Sequence, residues 1–123
     1  MTDQPLRVVV VDDEPDVRLL LRVALPQRGI DVVGEAGDGN AALEVCREHM
    51  PDAIVLDLLM PIASGFEAIP RLQAEMPGIR IVAYTAVAGE FVRSEMDRLR
   101  VPLVLKGSDV GPLIAALTAN GTS

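Results

Sequence analysis

Val8-Val9-Val10-Val11-Asp12-Asp13-Glu14-Pro15 is the stretch from which the fold is read. Four consecutive β-branched residues make a run that is apolar on both faces, the kind of strand that helices cover from both sides in a parallel sheet. The run then stops on three carboxylates and a proline. Pro15 suits the first turn of a helix, where a missing N–H costs nothing. These eight residues therefore describe a buried strand, an acidic turn and a helix start.

Four further apolar runs repeat the first: Ile30 to Val33, Ala53 to Leu56, Ile79 to Tyr84 and Val101 to Leu105. Between them apolar residues recur at three and four, which is the period of amphipathic helices. The series are Val17, Leu20, Leu21, Ala24; Ala42, Val45, Cys46; Ile69, Leu72, Met76; Val92, Met96, Leu99; and Val110, Leu113, Ile114, Leu117. Pro26 and Gly29 close the first helix and Pro51 follows the second. Pro70 predicts a late start or a kink in the third helix, because it removes a backbone bond past the first turn. Five alternating strand and helix patterns predict a single-domain, doubly wound α/β fold, (βα)5, around a parallel sheet. The domain is expected to span residues 1–120, with 121–123 a frayed tail.

At 123 residues the chain suits one domain with its own core. Half its residues are hydrophobic and the mean hydropathy is +0.33, so composition argues for a globular fold. No apolar run approaches the roughly 20 residues of a membrane span, and the start of the sequence lacks a basic, then apolar, secretory signal. A cytoplasmic location is the default expectation. A net charge of −7 disfavours binding of nucleic acid or an anionic membrane by this domain alone. Cys46, the only cysteine, falls in a helical pattern and reads as a small buried hydrophobe. His49, the only histidine, is far in sequence from every acidic strand end and reads as a surface or boundary residue.

Ligands of open parallel sheets bind at the carboxyl ends of the strands. Those ends carry Asp12, Asp13 and Glu14 after the first strand, Asp57 at the end of the third, Thr85 after the fourth and Lys106 at the end of the fifth. Each has a bland explanation by itself, as a turn residue, a cap or a solvated charge. Right-handed crossovers bring them all to one edge, which makes the joint placement informative. Two carboxylates ~4 Å apart repel by about 4 kcal/mol at an effective dielectric near 20, so a proton or a cation is needed. An oxygen-only ligand set suits a hard ion such as Mg²⁺. A strand-end carboxylate can act as nucleophile toward phosphorus while a metal and an ammonium stabilise the transferring oxygens.

With these residues in view, the sequence resembles the receiver domain of bacterial two-component response regulators over essentially its whole length. The resemblance is carried by Val8 to Pro15, by Val55-Leu56-Asp57-Leu58-Leu59-Met60-Pro61 with Gly65 and Glu67, by Tyr84-Thr85-Ala86 and by Leu105-Lys106-Gly107. It implies a flavodoxin-like fold with strand order 2-1-3-4-5, Mg²⁺ dependence, and a sensor histidine kinase as phosphohistidine donor. It also implies that Asp57 is the phosphoacceptor, that Asp12, Asp13, Asp57 and the backbone carbonyl of Leu59 hold the metal, and that Thr85 and Lys106 contact the phosphoryl group. Lys106-Gly107-Ser108 is similar to the branch that often carries a C-terminal helix-turn-helix domain. Homodimerisation through the face made by helix 4, strand 5 and helix 5 is a further expectation.

The sequence departs from the family in three places. Gly107 replaces the usual proline after the lysine, Leu103 replaces the aromatic three positions before it, and Arg100-Val101-Pro102 stands where many relatives have Gly-Ala. Tyr84 is predicted to face the other side of its strand from Thr85 and so does not substitute for the missing ring. Two enzyme-like or cofactor-binding readings fit less well. A haloacid dehalogenase-type hydrolase needs a second Asp where Leu59 stands, and a flavin binder needs a neutral phosphate loop where Asp12-Asp13-Glu14 stands. The remaining alternative is a degenerate receiver that binds partners without phosphorylation, which Leu103 favours and the full acidic set with Lys106 opposes.

Overall fold

The computed structural model describes residues 4–60, 64–86, 88–107 and 109–119. Among them, β1 (Leu6–Val11), α1 (Pro15–Ala24), β2 (Ile30–Ala36), α2 (Gly39–His49), β3 (Ala53–Leu56), α3 (Gly65–Glu75), β4 (Arg80–Thr85), α4 (Glu90–Leu99), β5 (Leu103–Leu105) and α5 (Gly111–Thr118) alternate along the chain. The strands form one parallel sheet, as the apolar pattern predicts, in the order β2-β1-β3-β4-β5 that the family resemblance implies. No helix of the described residues is long and apolar enough to cross a membrane.

Strand side chains alternate between two cores, as a period of two requires. Val9, Val11, Ile54, Leu56, Ile81 and Ala83 face α2, α3 and α4, where Leu43, Cys46, Ile69, Leu72 and Met96 are buried. Val8, Val10, Ala53, Val55, Val82 and Tyr84 face α1 and α5, where Leu21, Leu113 and Leu117 are buried. Each fully buried valine, leucine or isoleucine among them contributes roughly 1.5–3 kcal/mol of transfer free energy. Cys46 lies in the first core, and burial pushes its thiol up to about 11. His49 is a boundary residue whose carbonyl accepts a hydrogen bond from Arg7 at 2.9 Å.

The structure revises the sequence reading at three points. Leu20, expected on the core face of α1, is 48% exposed, as are Leu19 and Val23 to similar extents; Leu21 and Leu25 carry that packing. β5 begins at Leu103 rather than Val101, since Pro102 has no N–H for the ladder. The Pro102 carbonyl still accepts from the Ala83 N–H at 2.9 Å. Of the late start or kink expected around Pro70, the late start is not found: α3 starts at Gly65, capped by the Ser64 hydroxyl, and contains Pro70 within it.

Two helix ends are fastened from the amino ends of strands. Arg7 of β1 donates to the carbonyls of His49 and Met50 at the end of α2. Arg80 of β4 donates to the carbonyls of Ala116, Leu117 and Ala119 at the end of α5. Both satisfy terminal carbonyls that a helix leaves without partners.

Candidate functional site

Each of β1, β3, β4 and β5 ends where the sheet opens into a cleft of about 240 Å³ lined by Asp13, Glu14, Asp57, Leu59, Thr85, Ala86 and Lys106. β1 carries the chain into Asp12, whose N–H donates to the Ala36 carbonyl of β2 at 3.0 Å. β3 carries it into Asp57, whose N–H donates to the Val11 carbonyl at 3.0 Å. The two carboxylates are thus fixed by backbone bonds across neighbouring strands. Asp12 is 2% exposed, Asp57 5% and Thr85 0%, whereas Asp13 is exposed.

Lys106 closes the cluster. Its backbone N–H donates to the Thr85 carbonyl at 2.8 Å, which sets the lysine beside the end of β4. Its ammonium lies 2.7 Å from Asp12 Oδ2, 3.3 Å from Asp57 Oδ2 and 3.5 Å from Glu14 Oε1. Three carboxylates therefore share one ammonium. The other oxygens of the two aspartates are held by main chain: Asp12 Oδ1 accepts from the Glu14 N–H at 2.9 Å and Asp57 Oδ1 from the Leu59 N–H at 3.2 Å.

Burial pushes the Asp57 carboxyl above its ordinary value, against the opposing pull of the Leu59 N–H and Lys106 and with the neighbouring charge of Asp12 adding to the rise. Burial also works against the Lys106 ammonium, but Asp12 and Asp57 outweigh it and raise its pKa. Asp57 is thus a charge held where it is costly, and extra positive charge in the cleft would relieve it. Asp12, Asp13 and Asp57 each offer a carboxylate oxygen within 4.8 Å of the others. This oxygen donor set, open to solvent on the side of the exposed Asp13, fits a small hard cation that keeps part of its water.

Gly65 holds the base of the site together. A Cβ there would stand 2.3 Å from the Asp57 carbonyl oxygen and 2.9 Å from the Leu58 Cα, so only glycine lets α3 start against the end of β3. All the strand-end residues singled out in the sequence meet in this one place. Sequence reasoning missed Arg18 of α1, which donates to the Asp12 carbonyl and lies 3.5 Å from Glu35. Its only sequence signal is a cation on the first helix, and such residues are usually solvated.

Residues 8–118 match the family model of the response regulator receiver domain. The chain belongs to the response regulator receiver family. Among the relatives of this receiver, the probable transcriptional regulatory protein TcrX of Mycobacterium tuberculosis is 39% identical over 83 residues, covering 68% of this chain and 35% of that protein. Protein-glutamate methylesterase/protein-glutamine glutaminase 3 of Myxococcus xanthus is 43% identical over 86 residues, covering 69% of this chain and 24% of the relative. The receiver thus spans only about a third or a quarter of these relatives' length. Among solved structures, a LuxR-family two-component response regulator from Aurantimonas sp. SI85-9A1 superposes with a TM-score of 0.86 at 32% identity, covering 94% of this chain and 84% of that one.

The receiver's departures from its family also acquire positions. Leu103 is half-buried on the α4 side of the sheet, paired with Ala83, while Tyr84 pairs with Val104 and faces α1 and α5. The ring of Tyr84 is therefore on the wrong face to serve in place of an aromatic at 103. Arg100 takes a left-handed conformation with φ 60° at the end of α4, the place that glycine usually fills.

Proposed function

We propose that this receiver accepts a phosphoryl group on Asp57 from the phosphohistidine of a sensor histidine kinase, and that Mg²⁺ is required. A carboxylate oxygen of Asp57 attacks phosphorus, a P–O bond forms, and the P–N bond to the histidine breaks with its electron pair returning to the imidazole. Asp12, Asp13, Asp57 and the backbone carbonyl of Leu59 would hold the cation, which neutralises oxygen charge during the transfer. Lys106 leaves its carboxylates to hold a phosphoryl oxygen, and Thr85 offers its hydroxyl to another.

The single observation that carries this reading is Lys106 held at 3.3 Å from a buried Asp57 in an open cleft rimmed by two further carboxylates. A merely structural ion pair would have no need of the exposed Asp13 beside it. We place the domain at residues 1–120, with output through the face of α4, β5 and α5, where a second copy or another partner would dock. The resemblance to transcriptional regulators and to a methylesterase supports a role as the switch of a longer signalling protein.

The test is incubation with Mg²⁺ and a small acyl-phosphate donor, which should add one phosphoryl group of about 80 Da. Asp57→Asn should abolish the gain. Label on a Ser or Thr, or uptake indifferent to chelator, would overturn the assignment.

A further inference from the structure

We propose that Arg18 is a positioning residue for the cation site, acting through the peptide that joins Asp12 to Asp13. The inference rests on the reading of Asp12, Asp13 and Asp57 as metal ligands. Asp12 is gripped at every polar group: its N–H by the Ala36 carbonyl, Oδ1 by the Glu14 N–H, Oδ2 by Lys106, and its carbonyl by the guanidinium of Arg18. The first three contacts fix the Asp12 side chain and its entry from β1. Only the fourth acts on the carbonyl, and therefore on the plane of the peptide leading to Asp13. Asp13 is exposed, so the orientation of that peptide is what aims its carboxylate at the other two.

Arg18 is suited to this by its place on α1. Helical side chains lean toward the amino end of their helix, and from its position past the first turn Arg18 reaches back over that turn to Asp12. Its guanidinium is then held from behind. Glu35 of β2 lies 3.5 Å from Arg18 Nε and is itself gripped by two nitrogens of Arg22. An additional β-carbon at Gly37 would come to 3.6 Å from Arg18 Nη1, so the neighbouring loop also bounds the guanidinium. The side chain is only 24% exposed, which is low for arginine and consistent with a fixed role.

The alternative is that Arg18 is simply a nearby positive charge, and the two readings predict opposite signs. A bare charge next to a cation site repels the incoming cation, so its removal should tighten binding. A positioning group pre-organises the ligands, and loss of such an outer contact typically costs about 10-fold or more in metal affinity.

The experiment is a Mg²⁺ titration followed by backbone amide shifts, with thermal unfolding measured in parallel, on the parent, Arg18→Met, Arg18→Lys and Glu35→Gln. The expected result is about a 10-fold weaker Mg²⁺ affinity for Arg18→Met, substantial recovery with Arg18→Lys, which still donates to the carbonyl, and a smaller loss for Glu35→Gln. If Arg18→Met does not fold, loss of affinity in Glu35→Gln supports the proposal and unchanged affinity there overturns it. Equal or tighter binding by a folded Arg18→Met overturns it directly. Failure of the parent itself to bind Mg²⁺ would instead overturn the metal reading, and this inference with it.

Discussion

Gly65 and Asp57 are in contact at a distance that no side chain tolerates: a Cβ on Gly65 would lie 2.3 Å from the Asp57 carbonyl oxygen. Gly65→Ala must therefore push the start of α3 away from the end of β3. Because the obstacle is backbone, the expected cost is about 1–3 kcal/mol of stability, read as a lower urea midpoint. Phosphoryl uptake should slow as well, since the same backbone carries Asp57. An unchanged midpoint would mean that α3 slides freely over the site.

A second expectation concerns charge. Burial raises the Asp57 carboxyl above its ordinary value of 3.8. Between the unfolded and folded values the native state binds more protons, so stability falls as pH rises through that window. The penalty is complete at neutral pH. With chelator present, Asp57→Asn should be more stable than the parent at pH 7, and the gap should close as pH drops below the ordinary aspartate range. A gap independent of pH would show that the asparagine acts by packing instead.

The lifetime of the phosphoryl group follows from Leu59, which lines the cleft and is 53% exposed. Its apolar side chain cannot orient an attacking water. Slow self-dephosphorylation is expected, several-fold faster in Leu59→Asn. The same change is expected for Val87→Glu, although Val87 lies outside the described residues. Radiolabel decay in the presence of Mg²⁺ measures it, and equal half-lives would remove the argument from polarity.

The fold and the acidic site were legible because parallel topology converts strand-end positions into neighbours: Asp12, Asp57, Thr85 and Lys106 are distant in sequence but each ends a strand. Less was legible in α1. Leu19, Leu20 and Leu21 are consecutive, and periodicity alone does not say which of three leucines faces the sheet; Leu21 does, with Leu25 one turn on. Arg18 was invisible for a different reason, since its partner is a main-chain carbonyl, which leaves no mark in the residue pattern. β5 was read two residues too long because Pro102 interrupts donation but not the apolar run.

The left-handed Arg100 yields a stability prediction. A non-glycine residue in that conformation costs about 1–2 kcal/mol, partly offset by the extra unfolded freedom of glycine. Arg100→Gly should therefore stabilise by up to about 1 kcal/mol. The thermal midpoint decides, and a decrease would mean that the arginine side chain contributes more than its backbone costs.

Signal output is expected to depend little on residue 103. Leu103 is already half-buried against the α4 side, and it has no polar end to draw outward. Beryllofluoride with Mg²⁺ should shift backbone amides strongly over residues 86–91, where Gly89 permits rearrangement, with little change in the Leu103 side chain. Phe91 is 71% exposed and touches Phe66 of α3 at a 6.5 Å ring separation, so the rings offer a second reporter of that movement. A clear rotamer exchange at Leu103 that tracks activation would refute this.

β4 is only six residues long, yet its two ends have different duties, with Thr85 in the cleft and Arg80 gripping the last carbonyls of α5. Anyone trimming or fusing this domain inherits that arrangement. A cut before Ala116 would strip all three acceptors from Arg80 at the root of the strand that carries Thr85, and a cut before Ala119 would strip one, so a shortened domain should fray first at α5 and lose rigidity at the cleft afterwards. A junction placed beyond Ala119 would keep all three carbonyls within reach of Arg80 when the domain is joined to another protein.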